Sequence, residues 1–178
     1  MLFRSLLERK TTGKGAYVTT SLLESAVASL ANQATNWLME AHIPERMGSM
    51  HPNITPYGDV FYSSDKKPIV LAIGTERQFL NLCKVLNIND LVNDIRFSKN
   101  AERVKNRIEL RDFLQNAFLN FEQKYLLETF KVQGVPAGKI RNMKEVFEQP
   151  KAQNMILEET MEDGTVSRRV KTVAFEIR

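Results

Sequence analysis

The chain has 178 residues, a net charge of +4, 43% apolar residues and 26% charged ones, the balance of a soluble globular protein able to form a core. One cysteine, Cys83, excludes a disulfide framework, and with only His42 and His51 beside it no metal site is expected. No apolar run approaches the roughly 20 residues that cross a bilayer, and the basic excess lacks the steepness and interleaved aromatics of a nucleic-acid module. No membrane or nucleic-acid partner and a cytoplasmic location are therefore expected, on a surface that tolerates an anionic ligand. The densest basic cluster is Arg168, Arg169 and Lys171.

Leu2, Phe3, Leu6 and Leu7 have the spacing of an amphipathic helix. It begins at Met1 with no capping residue ahead of it, as though the chain starts inside an element. "TTGKG" makes a turn, and "AYVTT" predicts a short strand. From Ser21 the apolar positions Leu22, Leu23, Ala26, Val27, Leu30, Ala34, Leu38 and Ala41 recur at three and four, which predicts one long helix. Pro44 bars its continuation. The stretch "RMGSMHPNITPYGDVF" fits neither helical nor strand period, and Gly48, Pro52, Pro56 and Gly58 punctuate it. Long irregular connections of this kind are active-site loops or links between domains.

"DVFYSSDKKPIVLAI" predicts a hairpin, with Val60 and Tyr62 alternating against polar neighbours and "PIVLAI" a buried strand. "GTERQFLNLCKVL" starts a helix in which Thr75 and Gln78 have capping-box spacing and Phe79, Leu82, Cys83 and Leu86 share a face. Residues 98 to 133 are helical in pattern, with stripes at Val104 and Ile108, at Leu110, Phe113, Leu114, Ala117, Phe118 and Phe121, and at Tyr125, Leu126 and Phe130. Gly134 and Pro136 stop them. "PAGKIR" is a short extended piece, Asn142 to Glu145 caps a small helix, and "MILEET" and "VSRRVKTVAFEI" predict two strands about an "EDG" turn.

Four places invite a chemical role. "TTGKGAY" has Gly15 after Lys14 and lacks the wide glycine spacing of a phosphate-binding loop, so it reads as a plain turn. Cys83 lies mid-helix on the apolar face, without the base or helix N-terminus that activates a thiol. His51 sits in an irregular loop but no Ser or Cys announces itself as its partner. "IGTERQF" joins a strand end, a glycine and a capped helix start, a natural rim for an anion, where Glu76 could act as acid or base or merely suit the helix dipole. No complete catalytic constellation emerges.

Taken together, "LLERKTTGKGAYVTTSLLESAVASL", "ERMGSMHPNITPYGDVF", "IVLAIGTERQFLNLCKVL", "NAERVKNRIEL" and "GVPAGKIRNMKEVFEQPKAQ" resemble, in order, the class III coenzyme A transferases of the CaiB/BaiF group. The resemblance implies an α/β protein whose members move coenzyme A between carboxylic acids through an aspartyl intermediate, a covalent catalysis by a carboxylate. It implies a large Rossmann-like domain, a small domain, long linkers and an interlocked homodimer. Acyl-coenzyme A thioesters and carboxylates would be substrates, with no tightly bound cofactor. In this chain, α+β in its own elements, residues 1–41 would belong to the large domain, 42–58 to a linker and 59–140 to the small domain. Residues 141–178 would form the return linker and large-domain strands.

The family's nucleophilic aspartate precedes the segment matching "LLERKTTGKG", so none of Asp59, Asp65, Asp90, Asp94, Asp112 or Asp163 takes its place. The resemblance therefore places the nucleophile upstream of Met1 and implies a portion that is inactive alone. Gly74, Thr75, Glu76 and Gln78 match a glycine-containing loop bordering the active site. "ERQF" is also similar to a motif of the α-methylacyl-coenzyme A racemases, an alternative branch. A non-catalytic binding or assembly module is a third possibility. Apolar faces on residues 1–41 would then lie uncovered and favour self-association.

Overall fold

A computed structural model describes residues 2–172, which divide into two units between Arg46 and Met47. The first unit is helical. It holds α1 (Leu2–Thr12), α2 (Leu22–Ala28) and α3 (Ala31–Glu40). Residues 16–20, expected as a strand, have no regular structure, and the described part of this unit contains no strand for them to pair with. The long helix expected from Ser21 is two helices. Ser29 turns its hydroxyl onto the Ala26 carbonyl at 2.7 Å, and Ala31 takes a left-handed φ of 47°. The apolar period runs through this break unchanged, so spacing alone could not locate it. Neither α2 nor α3 buries a residue. Leu22 is 92% exposed, and Leu23, Trp37, Leu38 and Met39 are exposed as well.

The second unit carries the core. Strands β1 (Tyr57–Tyr62) and β2 (Pro68–Ala72) form the expected hairpin, and β3 (Ala137–Lys139) adds to β2, giving an antiparallel sheet in the order β1-β2-β3. Between β2 and β3 run α4 (Glu76–Val85), α5 (Asp90–Asn93), α6 (Asn100–Lys105), α7 (Arg107–Phe118) and α8 (Gln123–Gln133). Phe61, Ile69 and Leu71 of the sheet pack with Phe79, Leu82 and Cys83 of α4, Leu110, Leu114 and Phe118 of α7, and Leu126 and Phe130 of α8. Phe61 and Phe118 stack at 4.9 Å between ring centroids.

Several side chains point otherwise than their spacing predicts. In β1 the buried residues are Asp59 and Phe61, while Tyr62 is half exposed and Val60 only partly covered. The register against β2 slips by one between Tyr57 and Val60, which leaves Tyr57 exposed and out of phase with buried Asp59 and Phe61. Gly58 makes the slip possible. Its φ is +81°, and a Cβ there would stand 2.0 Å from the Ser49 carbonyl oxygen. The helical run from 98 to 133 is broken at Asn106 and again at 119–122, and Ile108, Phe113 and Tyr125 are exposed. In α6 it is Arg103 that is buried.

After β3 come α9 (Met143–Phe147), α10 (Pro150–Gln153) and the hairpin β4 (Ile156–Thr160) with β5 (Val166–Val170), turned at Gly164. The strand pattern past residue 172 lies outside the described residues. Arg168 and Arg169 pair with Glu158 and Glu159, so the densest basic cluster is largely neutralised.

Candidate functional site

The loop from β2 into α4 is built as the sequence predicts. Thr75 has an extended backbone, its Oγ1 accepts from the Gln78 amide at 3.3 Å, and the Gln78 side chain reaches back. Gln78 Oε1 accepts from both the Gly74 amide, at 2.9 Å, and the Thr75 amide, at 3.1 Å. Gly74, Thr75 and Glu76 are exposed, but the Gly74 and Thr75 donors, expected to face an anion, are occupied by their own helix cap. Thr75, Arg77, Gln78, Asn81 and Gln133 line a shallow, mostly polar cavity of about 330 Å³ beside this turn.

Glu76 carries the ion pair of this turn. Its Oε2 accepts from Arg103 Nη1 at 2.7 Å and its Oε1 from Arg103 Nη2 at 3.0 Å, a two-pronged pair. The Asn100 backbone amide also donates to Oε1, at 3.1 Å. Hydrogen bonding to Arg103 holds the Glu76 carboxyl below its ordinary value, against a smaller opposing effect of burial. Arg103 itself is 2% exposed and lies over the Phe79 ring at 4.3 Å. Its remaining donors go to the Thr55 carbonyl, at 3.3 Å from Nε, and the Phe97 carbonyl, at 3.0 Å from Nη1.

The irregular 51–56 segment is held by the same helix and its successor. Asn100 donates from Nδ2 to the Asn53 carbonyl at 2.8 Å, and its Oδ1 accepts from the Thr55 amide at 3.2 Å. Arg107 donates to the carbonyls of His51, at 3.2 Å, and Pro52, at 2.7 Å. The Pro56 carbonyl accepts from the Ile73 amide at 3.0 Å, at the end of β2. A segment without regular structure thus has its backbone oxygens satisfied by side chains, which answers how it is held in one shape. The His51 ring meets Tyr57 edge-on at 5.6 Å, and its Nδ1 accepts from the Asn53 amide at 3.2 Å.

Sequence spacing had singled out Gly74, Thr75, Glu76 and Gln78, which the structure brings together in one turn. It missed Asn100, Arg103 and Arg107. Asn100 and Arg103, three apart, share a face of α6, and Arg107 opens α7 beyond the break at Asn106, a placement that the apolar stripe masks. It missed Asp59 too. That carboxylate is 3% exposed, its Oδ2 has no hydrogen-bond partner, and Arg111 Nη1 lies 3.5 Å from Oδ1. Burial raises its pKa, only partly offset by Arg111 and the Tyr57 amide. Cys83 is buried, and burial pushes its thiol up to about 12, which leaves it no nucleophilic role. Lys14 lies in an exposed turn. Among the described residues no group of three or more His, Cys, Asp or Glu could hold a metal, and no helix is long and apolar enough to cross a membrane.

With this geometry established, residues 2–178 match the model of CoA-transferase family III. The chain belongs to that family. It is 34% identical over 170 residues to the succinate–glutarate CoA-transferase of Agrobacterium fabrum, covering 94% of this chain and 42% of the relative. Against the human succinyl-CoA:glutarate CoA-transferase it is 35% identical over 167 residues, 94% of this chain and 38% of the relative. A crystal structure of a CaiB/BaiF family protein from Brucella suis superposes with a TM-score of 0.66 at 35% identity, covering 98% of this chain and 45% of that one. The chain therefore spans about two fifths of the length of the family members it matches.

Proposed function

We propose that these residues are a portion of an acyl-CoA:carboxylate CoA-transferase that moves coenzyme A between carboxylic acids through an aspartyl intermediate, the Asp lying upstream of this chain. The observation that carries this is the match along 94% of the chain to relatives named as succinate–glutarate CoA-transferases. Another relative, from Acetobacter aceti, is named as an acetyl-CoA:oxalate CoA-transferase. Succinate, glutarate and oxalate are dicarboxylates, so we take a dicarboxylate as the acceptor class. These names favour transfer over the α-proton exchange of the racemase branch.

Within that enzyme, residues 59–140 would be the small domain, 1–41 and 141–178 would belong to the large domain and return linker, and 42–58 would be the connecting linker. Two features support the placing of the linker and of the small domain. The boundary between the units at 46/47 falls inside the linker, and every residue of the buried core lies between Phe61 and Val135. The exposed apolar side chains of α2 and α3 suit a surface that the rest of a large domain covers. Gly74, Thr75, Glu76 and Gln78 would border the substrate, with Arg77 a cation beside the polar cavity. A cytoplasmic, interlocked homodimer completes the proposal.

Mass spectrometry of coenzyme A esters tests it. The longer protein carrying these residues, given succinyl-CoA and glutarate, should form glutaryl-CoA, and the 178 residues alone should not. Turnover by the short chain, or α-deuterium uptake from heavy water in place of transfer by the longer one, would overturn it.

A further inference from the structure

We infer that Glu76 is a positioning residue, which with Arg103 and Asn100 locks the 51–56 segment to the start of α4 so that the two form one rim. That the rim faces substrate rests on the function proposed above; the locking itself does not.

The two loops are remote in sequence and are joined chiefly by side chains of α6. Asn100 takes Glu76 with its backbone amide and the 53–55 backbone with its side chain. Arg103 takes Glu76 with two nitrogens and the Thr55 carbonyl with a third. The Arg103 side chain is 3% exposed, and its ion-pair partner among the described residues is Glu76. A guanidinium so placed is destabilised when its counter-charge is removed. It also cannot withdraw to solvent without abandoning the Thr55 and Phe97 carbonyls. A change at residue 76 is thereby transmitted to residues 53–56. The same contacts argue against proton transfer. A general base needs a basic oxygen, and the two-pronged Arg103 pair with the Asn100 amide takes three of roughly four carboxylate lone-pair sites and stabilises the charged form.

Amide hydrogen exchange on the 178-residue chain tests the lock. Glu76→Gln should speed exchange at Thr55 and Ile73 about tenfold relative to Leu82 and Leu114, the loss expected when a charge-assisted pair becomes a neutral one. Asn100→Ala should release Thr55 and spare Ile73. Exchange that stays unchanged, or rises equally at all four amides, overturns the inference.

The second readout uses the longer protein. Glu76→Gln should raise KM for the carboxylate acceptor and leave the shape of the kcat–pH profile intact. Loss of one limb of that profile with unchanged KM would make Glu76 a proton-transfer group and overturn the inference. If the longer protein transfers no coenzyme A at all, the functional proposal fails, and the exchange result still decides the lock.

Discussion

Glu76 and Arg103 meet through two parallel hydrogen bonds of 2.7 and 3.0 Å, with the arginine buried and the carboxylate at the surface. The asymmetry sets the expected mutational costs. Arg103→Ala empties a buried site over Phe79 and leaves the Thr55 and Phe97 carbonyls without that donor, and should cost about 3–5 kcal/mol in urea unfolding followed by circular dichroism. Glu76→Gln should cost about 1–2 kcal/mol, the smaller figure reflecting screening of a half-exposed carboxylate. The pH dependence follows. Glu76 is held below its ordinary value of 4.5, with Arg103, the Asn100 amide and Lys99 all favouring its charge. Its stabilisation is complete above 4.5 and disappears as pH falls through the lowered folded value. The gap between the parent chain and Glu76→Gln should therefore close on acidification. A gap independent of pH would contradict the pairing.

Asp59 behaves in the opposite sense. Its folded value is raised, so ionisation at neutral pH opposes folding, and protonation relieves that penalty as pH falls. Asp59→Asn should stabilise the chain at pH 7, on the order of 1 kcal/mol for a buried unsatisfied oxygen, with the gain shrinking towards acid. Thermal melts at pH 7 and pH 4 measure this. Destabilisation at pH 7 would mean that Arg111 or Arg107 holds the carboxylate more tightly than the 3.5 Å contact implies.

Cys83 offers a reporter of the core. Fully covered, with its thiol pushed up to about 12, it should not react with an aromatic disulfide reagent in the native chain. Reaction should begin only with the denaturant concentration that unfolds the second unit. Rapid labelling in native buffer would show that α4 does not pack as described.

What could be read from the sequence was what is encoded locally. The capping boxes at Thr75–Gln78 and Asn142–Glu145, the left-handed stop at Gly134 and the hairpin from β1 to β2 all depend on residues a few positions apart. The apolar face of α4 followed from its period. The face of β1 did not, because its inward side pairs a charged residue, Asp59, with Phe61 while Val60 and Tyr62 turn outward, and the slip at Gly58 breaks the alternation ahead of them. Nor did the break at Ala31, where a single dihedral changes sign within an unbroken apolar stripe. Arg103 was illegible for a different reason. A lone arginine in a charged helix is ordinarily solvated, and only the fold brings Glu76, Phe79 and the Thr55 carbonyl around it. The family was legible because five modest motifs occur in the right order.

The first unit carries its own prediction. With Leu22, Leu23, Leu38 and Met39 exposed, the isolated chain should self-associate. Its elution volume in size-exclusion chromatography should fall as concentration rises, and Leu22→Ser with Leu38→Ser should weaken the trend. A concentration-independent monomer would mean that these faces are covered within the chain.

The most direct test is chemical trapping. Hydroxylamine cleaves an aspartyl thioester to a hydroxamate, releasing coenzyme A and leaving a mass tag on the carboxylate that carried it. The longer protein, treated with succinyl-CoA and then hydroxylamine, should yield a tagged peptide from outside these 178 residues. A hydroxamate on Asp59, Glu76 or any other carboxylate within them would place the nucleophile here and refute the proposal that it lies outside this chain.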